Sequence, residues 1–381
     1  MNVTVSCFGK FHAYYLAQQL HANHHLHTLI TSYPARHVAN YSIPQSKIKA
    51  LWAYEAQKRL WAKAGRFGNV KAPASLYRQY DKAASRRVER GTDIVVSWSG
   101  SAKQTLARAK QVGAVAIVER GSSHIQYQQA ILQEEMALHG VALGHPADWM
   151  VRRELEEYES ADFIAIPSNF VRRTFESQGV PSEKLIQAGY GVDLTQFNPS
   201  DDAPDSTFRV VFAGSMSLRK GVHYLLQAFA ELKLLDAELW LFGSQTPEIE
   251  PFFERYAGHY RYFGHVPQAA LRNYYQQCSV FTMCSIEEGM AMVQLQAMAS
   301  GLPLICTTNT GGDDLVADGE NGFVLPIRDV AALKEKLVWL YENRPKCREM
   351  GRLASQSVKA GHSWQDYGAN VIANYQRMLD I

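Results

Sequence analysis

The densest concentration of chemistry-bearing residues lies between 281 and 326. After an apolar run ending at Cys284 come Ile286, Glu287, Glu288, Gly289, Met290 and Ala291, and then a helical pattern over 292–300. A carboxylate and a glycine on a strand-to-helix turn set backbone N–H groups and the positive end of a helix dipole beside a negative side chain. Such a turn can hold a phosphate on its amides and a sugar hydroxyl on Glu288. The plainer alternative, on spacing alone, is a tight turn whose acidic residue favours the helix start. Further glycine turns follow at Gly301, Gly311-Gly312 and Gly322.

The elements that must position this turn alternate along the whole chain. Short β-branched or apolar runs, each followed by a helical stretch, predict parallel sheets with crossover helices. In the first half the strand-like runs are 3–8, 26–31, 93–98, 114–119 and 162–167, with helices at about 11–22, 46–66, 75–90, 100–112, 147–160 and 168–178. In the second half the runs are 208–213, 238–242, 260–263, 280–284, 304–307 and 322–325, with helices at about 220–232, 268–277, 292–299 and 329–343. Residues 191–207 are polar, rich in Pro and Asp and without periodicity, which is linker chemistry. The expectation is an α/β protein of two doubly wound domains, 1–190 and 208–360, with a final helix in 361–381. Ligands in open α/β sheets bind at the carboxyl ends of the strands, so the site belongs in the cleft between the domains.

Composition narrows the class. With 381 residues, 46% hydrophobic and 20% charged, the chain is neither disordered nor collagen-like. No apolar run approaches the ~18–20 residues of a membrane span, and the first residues lack the pattern of a signal peptide. Five scattered cysteines with no CxxC read as reduced thiols of a cytoplasmic protein. The net charge of +2 hides an asymmetry: residues 1–120 hold 18 Lys+Arg against 5 Asp+Glu, and 47–90 alone hold 12 against 3. Trp52, Tyr54, Trp61, Phe67, Tyr77 and Tyr80 are interleaved there. A basic, aromatic-rich segment suits a peripheral contact with an anionic membrane or a phosphorylated acceptor; the plainer reading is a solvated basic face. No nucleic-acid motif accompanies it. His21, His24, His25 and His27 lie on opposing faces of a helix end and a strand start without Cys or carboxylate, which speaks for a solvated turn rather than a metal site.

Glu288-Gly289 followed at eight residues by Gln296, then Ala297-Met298-Ala299-Ser300-Gly301-Leu302-Pro303, resembles the E-x7-E signature of the retaining family-four glycosyltransferases. Gly214 with Arg219-Lys220-Gly221 is similar to that family's phosphate segment, and Gly243 in Leu241–Ser244 to its next glycine turn. Phe263-Gly264-His265-Val266 is similar to its base-contacting loop, and Tyr190-Gly191-Val192-Asp193 with Phe197 and Pro199 to its linker. Ser363-Trp364 opens a last helix, as in members where that helix crosses back to the first domain. The match is good over about 160–381 and loose before it.

The resemblance implies a GT-B fold and a set of roles. Arg219 and Lys220 would stabilise the diphosphate leaving group as the glycosidic bond breaks, in place of a metal held by a D-x-D pair, which the chain lacks. Glu288 would position the donor sugar, the amides of Ala291, Met292 and Val293 beside Gly289 would hold the distal phosphate, and His265 and Val266 would touch the base through backbone atoms. Where the family has a second glutamate for the ribose, this chain has Gln296, which keeps an acceptor oxygen but forfeits a charge-assisted bond. In the first half, Gly9 and Lys10 would face the donor phosphates, and His124, ending Glu119–His124, the donor sugar. His12, Glu119 and Arg120 are candidates for the acceptor side. The implied activity is metal-independent transfer of a hexose-type sugar from a nucleoside diphosphate sugar, UDP-sugar foremost, with retention, to an unidentified acceptor and with no cofactor. The alternatives are a non-catalytic sugar-nucleotide-binding protein of the same fold and a nucleotide-sugar epimerase.

Overall fold

The computed structural model describes residues 1–64, 72–141, 145–200 and 206–380. The first sheet contains β1 (Val3–Cys7), β2 (Leu26–Thr31), β3 (Ile48–Ala50), β4 (Ile94–Trp98), β5 (Val115–Glu119), β6 (Phe163–Ile166) and β7 (Leu185–Gln187). Its spatial order is β3-β2-β1-β4-β5-β6-β7, with parallel pairings. The second contains β8 (Phe208–Ala213), β9 (Ala237–Phe242), β10 (Arg261–Gly264), β11 (Val280–Met283), β12 (Leu304–Thr307) and β13 (Gly322–Leu325), ordered β10-β9-β8-β11-β12-β13 and again parallel. Helices cover both faces, which is why the inner strands are apolar without alternation. Every residue of β1, β4 and β11 is buried. In each sheet the order reverses beside the first strand, at β1/β4 and β8/β11, and those switch points open the crevices that hold ligands.

Several elements depart from the expectation, β7 and a short helix Glu250–Arg255 among them. The range 46–66 begins with β3, a three-residue edge strand too short to show alternation, and the helix starts only at Trp52. The helix Ile125–His139 was not anticipated: its N-cap is a histidine rather than Ser, Thr, Asp or Asn, and its buried face carries Glu135 beside Ile131 and Leu132, which interrupts the apolar stripe. Arg344–Lys359 forms a further helix packed beneath Met292–Ala299, Gly351 lying against the Gly301 carbonyl. In the basic segment, Tyr80 is buried and Tyr77 packs on Phe8, whereas Trp52 and Trp61 are exposed. Arg66, Phe67 and Lys71 lie outside the described residues, as do 201–205 of the linker.

The helix Trp364–Leu379 opens with a capping box between Ser363 and Asp366 and packs against the first domain's helix Ala13–Ala22. The Trp364 ring stacks on Tyr15 at 3.8 Å and 5°. Beside it, the Val192 amide donates to the His362 carbonyl at 2.8 Å, so the two chain crossings between the domains run side by side. All five cysteines are buried free thiols. No helix among the described residues is long and apolar enough to cross a membrane.

Candidate active site

The second-domain wall is built on the switch point. The turn after β8 and the turn after β9 meet backbone to backbone: a Cβ on Gly243 would lie 1.7 Å from the Gly214 carbonyl oxygen, so only glycine fits. The turn Leu218–Lys220 carries Arg219 and Lys220, and the turn after the neighbouring β11 carries Glu287 and Glu288. Strand adjacency therefore brings two cations against two carboxylates. Lys220 Nζ binds Glu288 Oε2, Arg219 Nη2 lies 3.5 Å from the same oxygen, and Arg219 Nε donates to Glu287 Oε2 at 2.7 Å. Burial works against the Arg219 charge, but both glutamates more than offset it and hold its pKa above the ordinary value.

The adjacent glutamates have opposite surroundings. Glu288 faces the cleft. Glu287 is fully buried and accepts from the Ser123 amide and hydroxyl and from Gln128, all in the first domain. Burial alone would raise its pKa; Arg219 and these donors pull it down to about 2. Glu287 was not among the expected site residues, because its partners Ser123 and Gln128 lie 164 and 159 residues away and local spacing does not reveal them.

Ala291, Met292, Val293, His265 and Val266 line the cleft, and the helix Met292–Ala299 starts there without a capping side chain. Gln296 is buried on the same wall, and its Oε1 has no hydrogen-bond partner among the described residues. An orphaned buried acceptor bordering a cleft is poised for a donor that arrives with a ligand. Gly289 contributes contact rather than lining: a Cβ there would lie 2.0 Å from the Gly121 carbonyl oxygen of the first domain. Its own carbonyl accepts from the Ser168 hydroxyl at 2.7 Å.

On the first-domain wall the residues are distributed differently from the expectation. Phe8, Phe11 and His12 line the cleft, while Lys10 is exposed with its ammonium 5.8 Å from the Tyr41 ring centroid, and Gly9, at φ +146°, sits under the Phe11 ring. His12 Nε2 lies 2.9 Å from Glu119 Oε1, and its ring packs on Tyr190 at 4.3 Å. Arg120 pairs not with Glu119 but with Glu154, at 2.9 Å, and braces the next turn through Gln128 and the Ser123 carbonyl. His124 stands behind the wall. It caps the helix Ile125–His139, its Nδ1 accepting from the Gln126 amide, and its ring packs on Phe175 and Tyr158. Burial, followed by the charge of Arg120, lowers its pKa to about 4. Gly121 and Ser122 face the cleft from that strand end instead, joined by Trp98 and by Tyr190, which had been assigned to the linker. The cleft between the two walls has a volume of about 840 Å3.

The sequence of the second domain and the two-sheet architecture both have known relatives. Residues 207–343 match the family described as glycosyl transferases group 1. Among curated relatives, the putative glycosyltransferase EpsD of Bacillus subtilis (strain 168) is 28% identical over 181 residues, covering 43% of this chain and 47% of the relative. The D-inositol 3-phosphate glycosyltransferase of Paenarthrobacter aurescens is 27% identical over 221 residues, covering 53% of each. The chain thus spans about half the length of the curated relatives it matches. Among solved structures, sucrose-phosphate synthase from Thermosynechococcus elongatus aligns over 100% of both chains with a TM-score of 0.74 at 17% identity. HepE of Anabaena in complex with UDP aligns over 99% of this chain and 100% of its own, with a TM-score of 0.71 at 13% identity. The fold is GT-B: two Rossmann-like domains facing across a cleft.

Proposed function

We propose that the protein is a glycosyltransferase that moves a hexose-type sugar from a nucleoside diphosphate sugar, UDP-sugar foremost, to an acceptor with retention of configuration and without a metal ion in the chemistry. The observation that carries this reading is the pairing of Arg219 and Lys220 with Glu288 at the switch point, beside the unpartnered Gln296 Oε1. It is supported by the family match over the second domain and by neighbours solved with UDP, UDP-glucose, or UDP and GlcNAc.

In this reading the diphosphate lies against Arg219 and Lys220, which stabilise the charge that develops as the bond from C1 to the phosphate oxygen breaks. Glu288 accepts from sugar hydroxyls and the Gln296 oxygen from the ribose. The departing phosphate oxygen takes the acceptor's proton on the same face, so no protein nucleophile is required. His12, held by Glu119, lies on the acceptor side.

The test is nucleoside diphosphate release from a panel of UDP-, GDP- and ADP-sugars, with and without candidate acceptors. Release from one donor identifies base and sugar together. Nucleotide binding with no turnover under any acceptor favours the non-catalytic reading, which Gln296 in place of a glutamate motivates. Conversion of the donor sugar without nucleotide release indicates an epimerase, and absence of nucleotide binding overturns the site. For the acceptor, we propose a partner at an anionic membrane face, because the helix Trp52–Ala64 exposes Trp52, Leu60 and Trp61 and carries Arg59 and Lys63. Salt-sensitive co-sedimentation with vesicles containing anionic lipid, lost on Trp52→Ala with Trp61→Ala, checks it.

A further inference from the structure

The helix Ile125–His139 starts behind the cleft and ends against the second domain. Its last turns carry Glu135 and His139, one helical turn apart, and the helix Val222–Leu232 brings His223 and Tyr224 against them. Glu135 Oε1 lies 2.9 Å from His223 Nε2 and 3.2 Å from His139 Nε2. Tyr224 Oη lies 2.9 Å from the same carboxylate oxygen and 3.2 Å from His139 Nε2. Glu135 and His223 are buried, His139 is partly buried, and Phe252 packs on both imidazoles.

We propose that Glu135, His139 and His223 form an interdomain site for a divalent first-row metal ion, Zn2+ foremost, with Tyr224 Oη or a water in the fourth position. The ligand atoms of the three residues all lie within 4.8 Å of one another. The two carboxylate-to-imidazole separations approach the roughly 3.3 Å edge of a tetrahedron with metal–ligand bonds of about 2.0 Å. Two imidazoles and one carboxylate suit zinc rather than magnesium or calcium, which take oxygen ligands. The other carboxylate oxygen is already oriented: Arg328 Nε donates to Glu135 Oε2 at 2.7 Å and is itself paired with Glu134. Metal-ligating carboxylates are held in this way by an outer ring of hydrogen bonds. Glu134 and Glu135 together offset the charge of Arg328 and half that of the ion.

Two consequences distinguish this site from the cleft. Its ligands come from both domains, so the ion would join them, and His223 is three residues beyond Lys220, so the ion would pin the turn bearing both cleft cations. The His223 Nδ1 atom has no hydrogen-bond partner among the described residues. A ligating imidazole without that support binds roughly 10–100-fold more weakly, so the site should exchange metal rather than trap it. The proposal stands whatever the cleft binds.

The experiment uses the full chain stripped with a chelator and titrated with Co2+, then with Zn2+. The expected result is one equivalent of Co2+ with the visible absorption of a tetrahedral site, displaced by Zn2+, and a higher thermal midpoint with Zn2+ than with chelator. Both signals should be lost in His139→Ala, whose side chain is partly exposed, and again in His223→Asn. The midpoints of these variants in chelator report whether they fold. Absence of Co2+ binding by the wild-type protein overturns the proposal, as does binding that persists in a folded His139→Ala variant.

Discussion

Ser123 gives both its amide and its hydroxyl to a single carboxylate oxygen of Glu287, at 3.0 and 2.7 Å. One residue belongs to the first domain and the other to the second. The remaining oxygen takes Arg219 and Gln128, so one buried carboxylate ties the first domain to the turn that carries the cleft cations.

Replacing Glu287 by Gln keeps the shape and removes the charge, leaving Arg219 without its nearest counter-ion. A loss of about 3 kcal/mol is expected, read by urea denaturation. The pKa of Glu287 is depressed in the folded state, so its contribution is complete above about pH 4.5 and is lost as the pH falls towards 2. The variant should lack that acid-side slope.

His124 predicts a pH effect nearer neutrality. Its folded pKa of about 4 lies below the ordinary 6.5, so protonation favours the unfolded chain. The stability it permits is complete above pH 6.5 and falls between 6.5 and 4, by about 3 kcal/mol. His124→Asn, which retains a capping acceptor, should flatten stability measured across that window.

Glu288→Ala should reduce turnover by about 100-fold or more, as expected when a group aimed at the reacting centre is removed. Nucleoside diphosphate affinity should change little by calorimetry. Unaltered turnover would remove Glu288 from the site.

Gln296→Leu deletes the unpartnered acceptor and should weaken nucleotide binding roughly tenfold, equivalent to about 1.4 kcal/mol. Gln296→Glu should be tolerated, with binding retained. Titration with UDP reads both variants, and equal affinity in the Leu variant would place the ribose elsewhere.

Gly289→Ala puts a methyl group where the Gly121 carbonyl stands. Either backbone must retreat, so the domains should separate at this point. Small-angle scattering should show a larger radius of gyration, and nucleotide turnover should fall while each domain remains folded. An unchanged radius with full turnover would mean the contact is not maintained in solution.

The fold was legible because parallel strands buried on both faces leave continuous apolar runs. Leu26–Thr31, Phe208–Ala213, Leu304–Thr307 and Gly322–Leu325 agree to the residue with those runs. The edge strands β3 and β7, three residues each, leave no such run. On the second-domain wall the cleft residues sit on turns whose glycines mark them, so local spacing was informative. The first-domain wall depends on long-range partners. Spacing does not reveal that Glu119 chooses His12 and Arg120 chooses Glu154, 107 and 34 residues away, nor that His124 serves its own helix.

Lys220 is never without a counter-ion, because Glu288 is tethered beside it. An anion entering the cleft competes against a rival whose local concentration is fixed by the fold and does not fall on dilution. A small monovalent anion gains little by that exchange, whereas one that also engages Arg219 can displace the carboxylate. The pair therefore acts as a threshold against the ordinary anions of solution. Displacement also releases Glu288 towards whatever the successful anion carries with it, so that seating the charged end readies the neutral end.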